Sequence, residues 1–369
     1  MATIKPFKAI RPTRDKVGLF ATRTYLSYSK KGLNEKLLNN PYTFLQIINP
    51  DFNKNIKLKG EEKFKLIKKK FKSFIKQNII IKDKKDAFYI YSLNHEGNEY
   101  KGLIATSSTE EYDKGIIKKH EKTIEKRENL FTNYLSKIRF NADPVLLSYK
   151  SNNKINKLIN NFSNCRAEYE FTTSNKALHK LWVISDPINI SKIVDEFKKI
   201  KSLYIADGHH RSASSLRLSK KNGPNNFMSF LIDEKQINIY SFNRIIKNIK
   251  NIDTENLINK LSNKFIITKI KSPEFQSYND NEIIVYFKKI MLSIKPKKGS
   301  YEENSLSKLS YSILNKNIIQ EILYLDDNSD KIKYINGKHK PEEIINLIDK
   351  EKNSIAFILK PIKIEEIRK

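Results

Sequence analysis

The sequence has little cysteine and no long apolar run, and each absence excludes a class of protein. A single cysteine, Cys165, among 369 residues excludes an intramolecular disulfide framework and a metal site built from several cysteines. No stretch approaches the roughly 20 apolar residues of a membrane span, and residues 1–8 lack the apolar run of a signal peptide. We therefore expect a cytoplasmic protein without a membrane partner. We also expect Cys165 to be a small, partly buried residue rather than a nucleophile.

Acidic residues are scarce beside basic ones, with 41 Asp and Glu against 70 Lys and Arg and a net charge of +29. Such a charge is typical of nucleic-acid binding. However, the excess is mainly lysine, which accompanies abundant asparagine and isoleucine, and all three have A/T-rich codons. Arginines are scattered, and no basic stretch interleaves with aromatic residues. We favour solvated lysine faces and keep a nucleic-acid surface as the alternative.

Length and patterning predict a mixed α/β (α+β) fold. With 39% hydrophobic residues the chain can fold, and 369 residues suggest two domains or one elaborated domain. Polar residues 150–163 are the candidate boundary, between an N-terminal α/β part, 1–150, and a second part, 151–369. The periodicity predicts helices at 33–39, 64–75, 190–200, from Asp253 or Thr254, and from Pro341; strands at 44–48, 203–206, 265–270 and 354–359; and hairpins at 87–105 and 226–246.

The sharpest motif is Asp207-Gly208-His209-His210-Arg211, which follows an apolar strand. A tight turn at Gly208 with a helix beginning near His209 would aim backbone N–H groups at an anion, for which phosphate is the first candidate. Arg211 would add a bidentate donor, and Ser212 and Ser214 could add hydroxyl groups. Asp207 is poorly placed for a bare anion, which indicates metal coordination or proton abstraction. The alternative is that Asp207 caps the helix and the histidines are ordinary core or surface residues.

A second candidate segment runs from His120 to Arg127. If a helix begins at His120, then His120, Thr123 and Arg127 share one face, with Glu121 about 100° away. This face fits a polar ligand, and it equally fits a solvated surface. The pattern is not a zinc-protease motif, because residue 124 is isoleucine, and the sequence contains no Walker A, dinucleotide-binding or nucleophile-elbow motif.

Together these segments resemble a known family, the domain-of-unknown-function family 1015. The resemblance extends over nearly the whole chain and rests on the following stretches: Ile4–Pro12, Asn40–Leu45, Lys101–Ala105, His120–Thr123 with Arg127, His179 with Leu181-Trp182, and Ile205–Arg211. This chain departs from the family at Ser212-Ala213, where Tyr-Glu is expected. The resemblance implies a ParB/sulfiredoxin-like core around the Asp207–Arg211 turn and a relation to free L-serine kinases, which make O-phosphoserine from a nucleotide phosphate donor.

The resemblance also implies roles for individual residues. Asp207 would sit beside the transferred phosphate and the serine hydroxyl. Glu121 is the candidate for the catalytic glutamate of the serine kinases, and His120 beside it is a further candidate catalytic residue. Mg²⁺ near Asp207 would accompany ATP or ADP. Gly208, His209, His210 and Arg211 would contact the phosphates. The local patterns, and not the resemblance, add Ser212, Thr123 and Arg127 as candidate contacts to phosphate or nucleotide.

Three hypotheses follow from the sequence. The first is a nucleotide-dependent phosphotransferase that acts on a small hydroxylated metabolite, with free L-serine as the first candidate. The second is a nucleotide-binding switch or ParB-like nucleic-acid-associated protein without small-molecule turnover. The third is a scaffold whose ancestral site is catalytically idle.

Overall fold

The chain has a mixed α/β fold, as the sequence predicts. The computed structural model describes residues 1–23, 27–53, 57–120, 123–237, 240, 242–249, 253–275, 281–301, 307, 309–326, 329–351 and 353–361. Its α-helices are α1 Val17–Phe20, α2 Lys30–Asn39, α3 Leu45–Ile48, α4 Gly60–Lys76, α5 Thr109–Asp113, α6 Glu125–Ile138, α7 Asn153–Ser163, α8 Pro187–Phe197, α9 His209–Ser219, α10 Thr254–Ser262, α11 Ser310–Ile313 and α12 Pro341–Asp349.

The strands alternate with these helices along the chain. They are β1 Ile4–Lys5, β2 Ile10–Pro12, β3 Ile80–Lys82, β4 Phe88–His95, β5 Asn98–Ser108, β6 Ile117–Lys118, β7 Val145–Tyr149, β8 Tyr169–Thr172, β9 Leu178–Ile184, β10 Leu203–Asp207, β11 Asn226–Asp233, β12 Asn243–Ile246, β13 Phe265–Lys269, β14 Ile283–Phe287, β15 Ile290–Pro296, β16 Ile332–Ile335 and β17 Ile355–Leu359.

The chain forms two compact units, Met1–Ile237 and Asn238–Lys369. These units differ from the two domains suggested by the polar stretch at 150–163. Residue 150 lies inside the first unit, between β7 and α7, and strands from both sides of it pair in one sheet.

The first unit is built on a sheet with the strand order β6-β10-β7-β11-β5-β4-β9-β8, and β1 also pairs with β5. Alternating apolar residues on one face of this sheet form a core with α7 and α8, to which Ile155 and Phe197 contribute. The second unit has its own sheet, in the order β13-β15-β14-β17-β12-β16, with a separate apolar core.

Most of the predicted elements are confirmed. The lysine-rich amphipathic pattern forms α4, which buries Phe64, Ile67 and Phe74. The 87–105 region forms the β4–β5 hairpin, with Gly97 in its turn. Asp253 accepts a hydrogen bond from the Asn256 N–H and caps α10, and α12 begins at Pro341.

The strand predicted at 44–48 is wrong, because Leu45–Ile48 form the short helix α3. The Thr43 hydroxyl accepts from the Leu45 N–H at 3.4 Å, which favours a turn over an extended chain. The Gln46 amide donates to the carbonyl of Leu37 at 2.6 Å. This segment therefore folds back onto α2 rather than joining a sheet.

The hairpin predicted at 226–246 is also wrong. β11 ends at Asp233, whose side chain caps a 3-10 turn, Glu234–Gln236. β12 lies in the second unit, where its backbone pairs with β16 and β17. All four β12 residues are buried, and its two apolar residues, Ile245 and Ile246, contribute to the cores of the second unit rather than to a hairpin with β11.

Two single-residue expectations have different outcomes. Trp182 is a core residue, as expected, and its Nε1–H donates to the Cys165 carbonyl at 2.8 Å. Cys165 is exposed rather than partly buried, because it lies in the polar turn after α7. In the described part of the chain, no helix is both long and apolar enough to cross a bilayer.

Candidate functional site

The Asp207–Arg211 segment forms the predicted strand–turn–helix junction. β10 ends at Asp207, Gly208 is in the left-handed conformation (φ 101°), and α9 begins at His209. The Ser212 N–H donates to the Gly208 carbonyl at 3.0 Å, which is the first backbone hydrogen bond of α9. The N–H groups that precede it, including those of His210 and Arg211, therefore point out of the helix at its positive end.

An irregularity in β10 shapes this turn. The pairing of β10 with β7 shifts register between Ile205 and Asp207, as in a β-bulge. Because Asp207 still pairs with Leu146, the end of β10 lies beside the start of β7. Asp143 and Pro144, which immediately precede β7, are thereby brought to the turn.

The Arg211 side chain binds neighbouring protein groups rather than extending into solvent. Its guanidinium forms an ion pair with Asp207 and another with Asp143, the latter at 2.6 Å, and donates to the Pro144 carbonyl at 2.5 Å. A Cβ at Gly208 would lie 3.0 Å from Nε of Arg211, so the guanidinium covers the open side of the glycine. The Asp207 side chain therefore pairs with Arg211 and does not cap α9.

The two adjacent histidines have different environments. His209 is 4% exposed, and its ring meets the edge of His120 with 4.5 Å between centroids. Burial, followed by the charge of His120, lowers the pKa of His209 to about 4, although Asp207 opposes this shift. His209 is therefore neutral at pH 7. Nε2 of His210 accepts from the Ile124 N–H at 3.2 Å, so this nitrogen carries no proton and the neutral ring holds its proton on Nδ1.

The helix expected from His120 begins later, at Glu125, with Ile124 as its N-cap. His120 and Thr123 precede α6, so they do not form a helical stripe with Arg127. The reason is that β6 pairs with β10 up to Lys118, and Ile124 is still extended (φ −87°, ψ 119°) where it contacts His210. Glu121 lies outside the described residues.

The structure nevertheless brings the two predicted segments together. His120 contacts His209, and Ile124 contacts His210. The Thr123 hydroxyl donates to Glu128, and Glu128 pairs with Arg217 of α9 at 2.9 Å. The described residues before α6 are thus attached to α9 through His120, Thr123 and Ile124. Arg127 is exposed on α6.

The serine hydroxyls of α9 point inward. Ser212 is fully buried, and its hydroxyl donates to the Gly208 carbonyl at 3.3 Å. The Ser214 hydroxyl donates to the His210 carbonyl at 2.6 Å. These groups stabilise the helix and its contact with α6, and the outward groups of the turn are backbone N–H and the side chains of Asp207, His210 and Arg211.

The described residues do not fit a protein-held Mg²⁺. Among them, no three His, Cys, Asp or Glu side chains are grouped so as to hold a metal ion. Asp143 and Asp207 are near each other, but the guanidinium of Arg211 already binds both.

Comparison with known proteins identifies the family. The family model described as "Protein of unknown function (DUF1015)" matches residues 4–316. The chain belongs to the DUF1015 family. The resemblance recognised in the sequence is thus confirmed.

Solved structures similar to this DUF1015 chain include two of a free serine kinase. A variant of that kinase in complex with ADP has 13% identity and a TM-score of 0.36, over 72% of this chain and 80% of the other. The kinase in complex with AMP has 13% identity and a TM-score of 0.37, over 72% and 79%. A conserved hypothetical protein from Pyrococcus furiosus has 13% identity and a TM-score of 0.35, over 72% and 83%. No similar sequence is found among curated proteins.

Sequence reasoning missed several residues of this DUF1015 site. Asp143, Glu128 and Arg217 lie far from the motif in sequence or look like ordinary surface charges. The sequence offers one signal at this position: Asp143-Pro144 directly precedes the buried strand β7, and such a pair is typical of a turn. Only the antiparallel pairing of β7 with β10 shows that this strand start lies beside Arg211.

Proposed function

We propose that this protein is a nucleotide-dependent phosphotransferase that acts on a small hydroxylated metabolite, with free L-serine as the first candidate. The observation that supports it best is the left-handed Gly208 at the start of α9, with outward N–H groups and an arginine beside it. The choice of serine comes from the family resemblance in the sequence.

In this proposal the turn holds the phosphates of the nucleotide. Backbone N–H groups of His210 and Arg211 and the guanidinium of Arg211 contact phosphate oxygens. His210 can donate from Nδ1, since its Nε2 is occupied by Ile124. Gly208 allows a phosphate to approach the backbone closely.

Asp207 is the proposed proton acceptor. The acceptor hydroxyl attacks the terminal phosphorus and gives its proton to the Asp207 carboxylate. The new P–O bond forms as the P–O bond to the nucleotide breaks, and the nucleotide leaves with the bonding electron pair. Asp207 is 70% exposed at the end of β10, so a small acceptor can reach it.

The remaining predicted residues have supporting roles in this proposal. Thr123 and Ser212 bind other protein groups through their hydroxyls, so we assign them to holding α6 and α9 in place. His120 packs on His209 and orients the turn. Arg127 and Glu121 remain predicted contacts to nucleotide and acceptor.

Two measurements test the proposal: nucleotide binding by calorimetry at near-physiological salt, with and without Mg²⁺, and O-phosphoserine formation from ATP or ADP. Loss of charge-assisted hydrogen bonds in Arg211→Ala should weaken nucleotide binding by tenfold or more, on the order expected for such bonds. Asp207→Asn should keep binding and lose about 10²-fold or more in turnover, as for a lost general base.

Arg14→Ala is the control, because it removes the same charge from a 76% exposed arginine whose partner, Glu168, immediately precedes β8, the strand farthest from β10 in the sheet order. It should leave nucleotide affinity close to that of the wild type. Absence of both nucleotide binding and phosphoserine formation in the wild type would refute the proposal. Nucleotide binding without turnover, together with salt-sensitive DNA binding, would instead favour the switch hypothesis.

A further inference from the structure

Arg211 is already occupied in the structure, although the proposed function needs it to contact phosphate. Its guanidinium binds Asp143, Asp207 and the Pro144 carbonyl and covers Gly208. Both carboxylates are exposed, by 77% for Asp143 and 70% for Asp207, whereas the arginine side chain is 25% exposed. Solvent therefore reaches both carboxylates, and exposed pairs of this kind exchange partners at little cost.

The charges at the turn do not yet favour an anion. One guanidinium and two carboxylates sum to −1, next to the positive end of α9. The two carboxylates thus repel each other and share one cation.

We infer that Asp143 competes with the phosphate ligand for Arg211: it pairs with the guanidinium over Gly208 and gives it up to the oxygens of a polyanionic group. This inference rests on the proposed function of the same turn. Asp143 is fixed beside the turn by the pairing of β7 with β10, so Arg211 remains within reach of Gly208 and of the α9 N–H groups.

This arrangement selects for ligands with several negative charges. A monovalent anion offers Arg211 no more charge than a carboxylate already does, so it does not displace Asp143. A di- or triphosphate brings several charges and a bidentate set of oxygens, which suit the planar guanidinium. Release of Arg211 also frees the Asp207 carboxylate to accept the proton from the hydroxyl.

Calorimetry with inorganic pyrophosphate as the probe tests the inference on the full chain. Removing the competing carboxylate in Asp143→Asn should tighten pyrophosphate binding by roughly two- to fivefold, the size expected for an exposed ion pair. Asp143→Glu keeps the carboxylate and should remain within about twofold of the wild type. A merely structural role for Asp143 would give the opposite sign, since a loosened turn binds more weakly.

Two controls isolate the contact between Asp143 and Arg211. Asp195→Asn removes the same charge from an exposed ion pair with Lys198 on α8 and should not tighten binding. In an Arg211→Ala background, Asp143→Asn should add nothing, because the guanidinium that it competes for is gone.

The outcomes separate this inference from the function on which it rests. If the wild type binds pyrophosphate but Asp143→Asn does not bind it more tightly, or if Asp195→Asn gains as much, the inference is overturned and the phosphate site stands. If the wild type and Asp143→Asn both fail to bind pyrophosphate or nucleotide, the phosphate site itself fails and the inference falls with it.

Discussion

Two arginines in the first compact unit are each held by two carboxylates, but in opposite environments. Arg11 pairs with Asp83 at 2.9 Å and Glu168 at 3.0 Å, and the exposed fractions of these three side chains are 17%, 12% and 19%. At the turn, Arg211 pairs with carboxylates that are 77% and 70% exposed. The number of ion pairs is the same, whereas access to solvent differs greatly.

This difference in solvent exposure indicates different roles for Arg11 and Arg211. Arg11 joins β2 to β3 and β8, and it also donates to the Tyr169 hydroxyl at 2.5 Å. Burial alone would lower the pKa of Arg11, but its hydrogen bonds to Asp83 and Tyr169 outweigh burial and raise it. Because this network is buried, we infer that its role is to stabilise the fold. Arg211 has partners that water or a ligand can replace, as a binding site requires.

The largest expected effect follows from this contrast. Arg11→Ala leaves Asp83 as a mostly buried carboxylate without its cation, whereas Glu168 keeps its ion pair with Arg14, so we expect a loss of about 3 kcal/mol in unfolding free energy. Arg211→Ala removes exposed pairs and should cost no more than about 1 kcal/mol. Urea unfolding followed by fluorescence of the single tryptophan, Trp182, reports on this unit. Equal losses in the two variants would contradict the assignment of separate roles.

A smaller effect concerns His209, the buried residue within the otherwise accessible turn. Its pKa is about 4 in the folded protein and ordinarily about 6.5, so the unfolded chain takes up the proton first as pH falls. The contribution of neutral His209 is complete above about pH 6.5 and is lost progressively toward pH 4. Between about pH 7.5 and pH 5 the wild type should lose about 2 kcal/mol more than His209→Gln.

Unfolding measured at both pH values, again through Trp182, checks this expectation. His95→Gln, at a partly exposed histidine of the same unit, controls for the exchange of a histidine for glutamine. An identical pH dependence in the wild type and His209→Gln would show that His209 takes up its proton in the folded state without cost.

Local patterns explain which parts of the fold and site could be predicted. The strand–glycine–helix signal at Gly208 and the amphipathic period of α4 are encoded within a few residues, and the structure has both. The 44–48 segment is apolar enough for a strand, but the side chains of Thr43 and Gln46 fold it into a helix. Short apolar runs have no period that could decide between the two.

The partners of the site could not be read from the sequence, for a different reason. Asp143 reaches Arg211 only because β7 pairs antiparallel with β10, and Ile124 reaches His210 only because α6 begins later than its polar spacing indicates. Both contacts join segments more than 60 positions apart. They depend on sheet order, about which local spacing carries no information.

Gly208→Ala should have a smaller effect than the changes at Arg11 and His209, and it tests whether Arg211 must lie over the glycine. An alanine at φ 101° is strained by about 1–2 kcal/mol, and its Cβ would lie 3.0 Å from Nε of Arg211. Gly97→Ala is the matched control, because Gly97 also has a left-handed φ of 77° but no atom within 4 Å of the added Cβ.

Both variants should therefore lose similar stability in urea unfolding, since both strain the backbone. Only Gly208→Ala should also weaken pyrophosphate binding, because its methyl group displaces the guanidinium and occupies the side of the turn where a phosphate would approach. Equal pyrophosphate affinity in the two variants would mean that the ligand does not approach over Gly208. The ion pairs of Arg211 would then be ordinary surface ion pairs without a role in binding. Arg11 and Arg211 would differ only in how deeply they and their carboxylate partners are buried.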